Sequence, residues 1–172
     1  MGRYGKGLDG KKPGIRTFSI GVLVAALLLA LSPVLAFSAT FATEGMTIRG
    51  AGGATHAFTV EIAALPDQRA QGLMNRKQMA ADRGMLFDFG ASRRVYMWMK
   101  DTYLPLDMLF VGQDGTIVSI TPDTVPLSEA IIDSHRDVRF VIELNAGTAR
   151  RLGIAIGDKA ESAQIKAAAA KP

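Results

Sequence analysis

The chain has 172 residues, with twenty lysines and arginines, sixteen aspartates and glutamates, and no cysteine. The missing cysteines exclude disulfides, thiolate metal sites and cysteine nucleophiles. Residues 1–36 hold five of the basic residues and one of the acidic ones, so residues 37–172 carry fifteen of each and no net charge. A neutral folded part gives no electrostatic basis for binding nucleic acid.

The first 36 residues have the parts of a secretory signal. A basic segment precedes an apolar run from Phe18 to Leu31, and small residues up to Ala36 provide a cleavage site. These features predict removal of residues 1–36 and a protein that is periplasmic or secreted. The alternative is an uncleaved leader, in which residues 17–37 anchor the protein in the membrane. We expect no other contact with a membrane.

The rest of the chain has the length of one domain. Residues 37–56 are rich in alanine, glycine and threonine, which predicts a linker with a weak first strand near residues 46–49. Residues 57–165 are predicted to form a single folded domain. The last residues, 166–172, are predicted to be a disordered tail.

Alternation of apolar and polar residues predicts most of the strands. It is clearest in Phe58–Leu65 and Val138–Asn145, and a hairpin is predicted at Gly112–Gly115. Two short helices are expected, one beginning at Pro66 and one within residues 145–152. Many short strands without a repeating β-α-β pattern predict an all-β fold, an antiparallel sandwich or barrel of the jelly-roll type.

The segment 94–111 is predicted to be the centre of the domain, and it holds the only tryptophan. Read with a period of two, it places Met97 and Met99 on an interior face and Trp98 on an aromatic face that reaches water. Asp107 stands alone among the apolar residues of the strand that follows. A charge in that position needs a partner or an open rim.

A set of polar side chains supplies the candidate site, because carboxylates, cations and an aromatic platform can together bind a sugar, a peptide or an anion. We expect seven residues to converge in one shallow pocket: Arg76, Trp98, Lys100, Asp101, Thr102, Asp107 and Glu143. The competing interpretation is that Arg76, Asp107 and Glu143 only form structural ion pairs that hold loops on the sheet.

The predicted function is non-catalytic binding of a small molecule, a glycan or a segment of an envelope protein. The alternative is an envelope hydrolase that uses Asp107 and Glu143 as its acid and base. A structural adaptor would instead expose an apolar patch or an unpaired strand edge. Two distant histidines and no cysteine predict no metal site, and no cofactor is expected.

Five short motifs, in matching order, resemble the family called domain of unknown function 192: Gly72-Leu73-Met74 with Arg76, Gly84-Met85-Leu86-Phe87, Trp98-Met99-Lys100-Asp101-Thr102, Pro105-Leu106-Asp107, and Glu143-Leu144-Asn145-Ala146-Gly147. The resemblance covers most of residues 58–158. It implies a small, mostly exported all-β domain similar to a jelly-roll sandwich, and it implies no particular activity. The family usually has asparagine at the position of Asp101.

Overall fold

The computed structural model describes residues 40–170, and the predicted signal peptide, residues 1–36, lies outside them. The described part contains seven strands and three short helices. Their bounds are β1 Ala42–Arg49, β2 Thr55–Ala63, α1 Pro66–Gln71, β3 Arg83–Met97, β4 Leu106–Val111, β5 Ile117–Thr121, β6 Ile132–Asn145, α2 Thr148–Leu152, β7 Lys159–Ser162 and α3 Ala163–Ala169. None of these helices is long and apolar enough to span a membrane.

The strands form one curled sheet in the order β5-β4-β6-β3-β2-β1-β7. Neighbouring strands are antiparallel except β2 and β3, which are parallel and are joined through α1. At one corner the two edges of the sheet meet, because the N–H of Ala160 donates to the carbonyl of Gly115 (2.8 Å) and the N–H of Ile117 donates to that of Asp158 (2.9 Å). The all-β prediction is confirmed, but the sheet is an open half-barrel with one parallel pair rather than a clear sandwich.

The folded part extends beyond the predicted limits at both ends. Strand β1 lies within residues 37–56, the predicted linker, and it pairs with both β2 and β7. Residues 166–169 of the predicted tail belong to α3, which makes a third helix where two were expected. This helix is held because the Ser162 hydroxyl caps its N-terminus and because Ile165 is buried in the core.

Both faces of the sheet are buried along β4, along residues 84–88 of β3 and along residues 140–144 of β6. One face carries Leu86 and Ile142, which are cross-strand partners in the core enclosed by the curl. The other face carries Phe87 and Val141, which belong to a second apolar cluster. Strand β4 is buried at all six of its positions. Polar side chains in these buried segments therefore have little access to water.

The predicted alternation around Trp98 is confirmed. Val95 and Met99 are buried, whereas Tyr96 is 60% and Trp98 is 51% exposed. The Met99 sulfur accepts a hydrogen bond from the Thr124 hydroxyl (3.2 Å), which fixes it in the interior. The indole of Trp98 is thus free to form part of a surface site.

Gly115 allows the contact between the two edges of the sheet, and Gly53 offers a matched control. Both residues have left-handed backbones, with φ of +83° and +85°. A Cβ on Gly115 would lie 2.4 Å from the carbonyl oxygen of Ala160, whereas a Cβ on Gly53 would meet nothing within 4 Å. Both alanine variants incur the left-handed penalty of about 1–2 kcal/mol.

We expect Gly115→Ala to lower the free energy of unfolding by roughly 1–3 kcal/mol more than Gly53→Ala, because it also overpacks the edge contact. Urea denaturation of the two variants measures this difference. Equal losses of unfolding free energy in the two variants would mean that the contact between the two edges of the sheet contributes little to stability.

Candidate functional site

Strand register places two carboxylates in one row across the sheet. Glu61 of β2 lies opposite Met85 of β3, which in turn lies opposite Glu143 of β6. Cross-strand partners share a face, so Glu61 and Glu143 point to the same side, two strand spacings or about 10 Å apart. This side is that of the second apolar cluster, to which Met85 belongs.

Arg76 approaches this row from the segment that follows α1. It forms a two-pronged pair with Glu61, with Nη1–Oε1 and Nη2–Oε2 distances of 2.5 and 2.7 Å. Its charge also acts on Glu143, without a hydrogen bond between them. Arg76 is therefore already neutralised by Glu61 and cannot fully compensate a charge on Glu143.

Glu143 is a buried acidic residue whose carboxyl meets no polar partner in the described part of the chain. Its residue is 4% exposed, and within residues 40–170 its carboxyl forms no hydrogen bond or ion pair. Burial raises the pKa of Glu143 to about 8, against a smaller lowering by Arg76. At neutral pH the carboxyl is therefore mostly protonated and can donate one hydrogen bond.

The Glu143 carboxyl faces a small cavity whose walls also include Phe87, Met97, Trp98 and Thr102. The cavity offers about 30 Å³ to the centre of a water-sized group, enough for one small polar group. The half-exposed indole of Trp98 borders it. We call this arrangement the Glu143 cavity.

Lys100 and Asp101 form the turn between two of the cavity residues. The Thr102 hydroxyl donates to the carbonyl of Lys100 (3.1 Å), which leaves the lone pairs of the hydroxyl oxygen available. Asp101 has a left-handed backbone with φ of 53°, and its carbonyl accepts the N–H of Asn75 (2.8 Å). Both turn side chains are exposed, and they form no ion pair or hydrogen bond with any described residue.

Asp107 does not belong to this site. It is the cross-strand partner of Leu144, so it points to the face opposite that of Glu143. Its carboxylate accepts the backbone N–H groups of Asp123 (3.0 Å), Gly147 (3.1 Å) and Ala149 (2.8 Å). Asp107 thus anchors two loops, and it cannot act together with Glu143 as the acid and base of a hydrolase.

The seven predicted residues therefore separate into groups. Three of them line the Glu143 cavity, namely Trp98, Thr102 and Glu143. Lys100 and Asp101 flank it on the surface turn, and Arg76 lies beside it in its pair with Glu61. Asp107 lies on the other face of the sheet.

Sequence reasoning missed two residues that shape the site, Glu61 and Arg69. Glu61 occupies an outward position of an alternating strand, which was a usable signal. Arg69 lines the cavity and donates through Nη1 to the carbonyls of Ala64 and Asp88, so it fixes α1 beside the cavity. Its role depends on the path of α1, which the sequence pattern does not specify.

The sequence profile of the domain of unknown function 192, described as an uncharacterized ACR, matches residues 47–162. The chain belongs to this family. A Sinorhizobium meliloti 1021 protein of known crystal structure, provisionally described as a transcription regulator, is 58% identical; the match has a TM-score of 0.72 and covers 73% of this chain and 98% of that one.

A protein of unknown function from Novosphingobium aromaticivorans DSM 12444 is 33% identical. That match has a TM-score of 0.67 and covers 72% of this chain and 94% of the other. No protein with a curated description matches the chain. These relatives establish the family and the fold, and they assign no ligand.

The raised pKa of Glu143 predicts how stability depends on pH. In the unfolded chain this carboxyl ionises near its ordinary pKa of 4.5, whereas in the folded chain it stays protonated until about pH 8. The unfolded state binds fewer protons in this window, so stability falls as the pH rises. Glu143→Gln removes this titration, and the other groups titrate alike in both proteins.

We therefore expect the unfolding free energy of the native chain to decrease, relative to that of Glu143→Gln, from about pH 4.5 to about pH 8 and then to level off. Denaturant unfolding at several pH values measures this difference. Parallel pH profiles for the two proteins would contradict a neutral, buried Glu143.

Proposed function

We propose that this protein is a non-catalytic binding domain of the cell envelope, with the Glu143 cavity and Trp98 as its binding site. One observation carries the proposal. A carboxyl buried without a hydrogen-bond partner costs free energy, roughly 1–3 kcal/mol or more. A leucine or methionine would fill the same position without that cost, so a ligand group that pairs with Glu143 explains its presence.

The size of the cavity indicates what kind of ligand suits it. Pockets that enclose a drug-sized molecule measure about 300–1,000 Å³. The Glu143 cavity, with about 30 Å³, takes only one functional group. The body of the ligand would then lie outside, against Trp98. A glycan or a protein segment meets this condition better than a small molecule that the protein would enclose.

The provisional description of the Sinorhizobium relative raises transcription regulation as another class of function. Direct binding to DNA relies on lysines and arginines that neutralise phosphates. Residues 37–172 carry as many acidic as basic residues, so the composition does not favour a DNA-binding surface. A secretory leader also fits poorly with a role at DNA.

Trp98 is the only tryptophan of the chain, so its fluorescence reports on the proposed site alone. We expect at least one compound class among neutral oligosaccharides, short peptides, amines and carboxylates to shift the Trp98 emission of the native protein. The same compound should have no effect on Glu143→Ala, which lacks the polar group of the cavity. Emission titrations with each class measure this.

Glu161→Ala serves as the matched control, because it removes a glutamate from β7, at the far edge of the sheet from the Glu143 cavity. Its response should equal that of the native protein. If no class shifts the emission, or if Glu143→Ala responds like the native protein, the proposed binding site is wrong.

The envelope location rests on the sequence of residues 1–36. We expect the full chain, expressed in a Gram-negative host, to appear in the periplasmic or secreted fraction. Its intact mass should be that of a chain whose first residue is Phe37. The substitution Ala36→Arg should block cleavage and retain the full-length form. A full-length native product in the membrane fraction would indicate an anchor formed by residues 17–37, and one in the cytosol would contradict export.

A further inference from the structure

Two of the side chains that line the Glu143 cavity, those of Glu143 and Thr102, can together offer a ligand one hydrogen-bond donor and one acceptor. The protonated carboxyl of Glu143 can donate, and the Thr102 oxygen can accept, since its own proton is directed to the carbonyl of Lys100 (3.1 Å). A hydroxyl group is the smallest group that accepts one hydrogen bond and donates another. It also fits a cavity that admits a single small group.

The charges around the cavity favour a neutral group. Arg69 and Glu143 are the ionisable residues that line the cavity, and Arg76, paired with Glu61, acts electrostatically on Glu143. Arg76 is paired with Glu61, and Arg69 is engaged with the carbonyls of Ala64 and Asp88. An ammonium group would be buried beside two arginines, while an anion would lie against a carboxyl that it must keep protonated.

The surface outside the cavity combines aromatic platforms with free polar groups. Tyr96 and Trp98 are 60% and 51% exposed, so two rings can each support an apolar face of a ligand. The side chains of Lys100 and Asp101 project from the adjacent turn without partners among the described residues. They add an exposed donor and an exposed acceptor on the turn that connects Trp98 to Thr102.

From these three features we infer that the site takes a neutral oligosaccharide, with one sugar hydroxyl in the cavity between Glu143 and Thr102 and the C–H face of that ring against Trp98. This inference rests on the binding function proposed above and names its ligand class. A sugar ring carries hydroxyl groups along its edge and an apolar face, which matches the arrangement. A serine or threonine side chain brings only one hydroxyl and leaves Lys100 and Asp101 unused.

The test uses cellohexaose, maltohexaose and chitohexaose as probes, with isothermal titration calorimetry beside the Trp98 emission. We expect at least one probe to bind and to shift the emission. A preference for chitohexaose would indicate an N-acetylated wall glycan as the source, and a preference for either other probe would indicate a glucan. Both results support the inference.

Two variants locate the contacts. Thr102→Val keeps the shape of the side chain but removes the acceptor, and Trp98→Ala removes the platform at a half-exposed position where the fold loses little. Each should weaken binding at least tenfold, as measured by calorimetry. Circular dichroism checks that both variants are folded. Native affinity in both variants would overturn the inference.

The pH profile distinguishes a hydroxyl from a charged group. A ligand that accepts a hydrogen bond from protonated Glu143 should bind progressively more weakly above about pH 8. The loss of affinity should approach tenfold per pH unit. Glu143→Gln, which keeps a neutral donor, should show an affinity that is independent of pH over the same range. Affinity that instead increases above pH 8 would overturn the inference, because it indicates that the ionised carboxylate is the binding form.

Failure of this inference is distinguishable from failure of the proposed function. If peptides or amines shift the Trp98 emission through Glu143 while none of the three saccharides binds, the site stands and the saccharide assignment is wrong. If none of the compounds acts through Glu143, both are wrong.

Discussion

The burial of both faces of β6 at residues 140–144 is the constraint on which the candidate site depends. Ile142 and Leu144 point into the core enclosed by the curl, and Val141 points into the second apolar cluster, on the same side as Glu143. Glu143 is only 4% exposed, so its carboxyl has little access to bulk water. Arg76 could pair with it but is held by Glu61, so the proton stays on the carboxyl.

Asp107, on the neighbouring strand and the other face, shows the opposite solution to the same problem. It is completely buried but accepts three backbone N–H groups from the loops that it anchors. Among the described residues neither carboxyl group has an ion-pair partner, yet Asp107 accepts three hydrogen bonds and Glu143 accepts none. The contrast shows that this fold can satisfy a buried carboxylate with backbone N–H groups and does not do so at Glu143.

The sequence predicted the parts of this arrangement that depend on local periodicity. The alternation of apolar and polar residues identified the buried Met99 and the exposed Trp98. It also placed Glu143 on the face of its strand that does not carry Ile142 and Leu144. It could not show that the outward face of β6 is covered by a second layer, because the segment after α1 has no periodic pattern. The separation of Asp107 from Glu143 depends on strand register, which one sequence does not reveal.

The two ends of the domain were predicted incompletely for a different reason: a weak strand was expected near residues 46–49, where the strand spans Ala42–Arg49, and no helix was expected after residue 162. Strand β1 contains glycine, threonine and glutamate, and its packing rests on two buried side chains, Met46 and Ile48. Four of the seven residues of helix α3 are alanine, and the helix buries only Ile165 and Ala168. Such short elements form because the sheet supplies a partner surface, so propensity and pattern alone predict them weakly.

Asp101, where the family usually has asparagine, shows how a substitution can keep the fold and change the surface. The left-handed backbone of this turn suits either residue, since both tolerate positive φ better than other side chains. The turn is held through the carbonyl of Asp101 and the N–H of Asn75, a main-chain contact that the side chain does not affect. The exchange therefore leaves the cavity in place and alters its rim, because an amide both donates and accepts whereas a carboxylate only accepts. Beside the exposed Lys100, the rim in this chain therefore carries one pure donor and one pure acceptor.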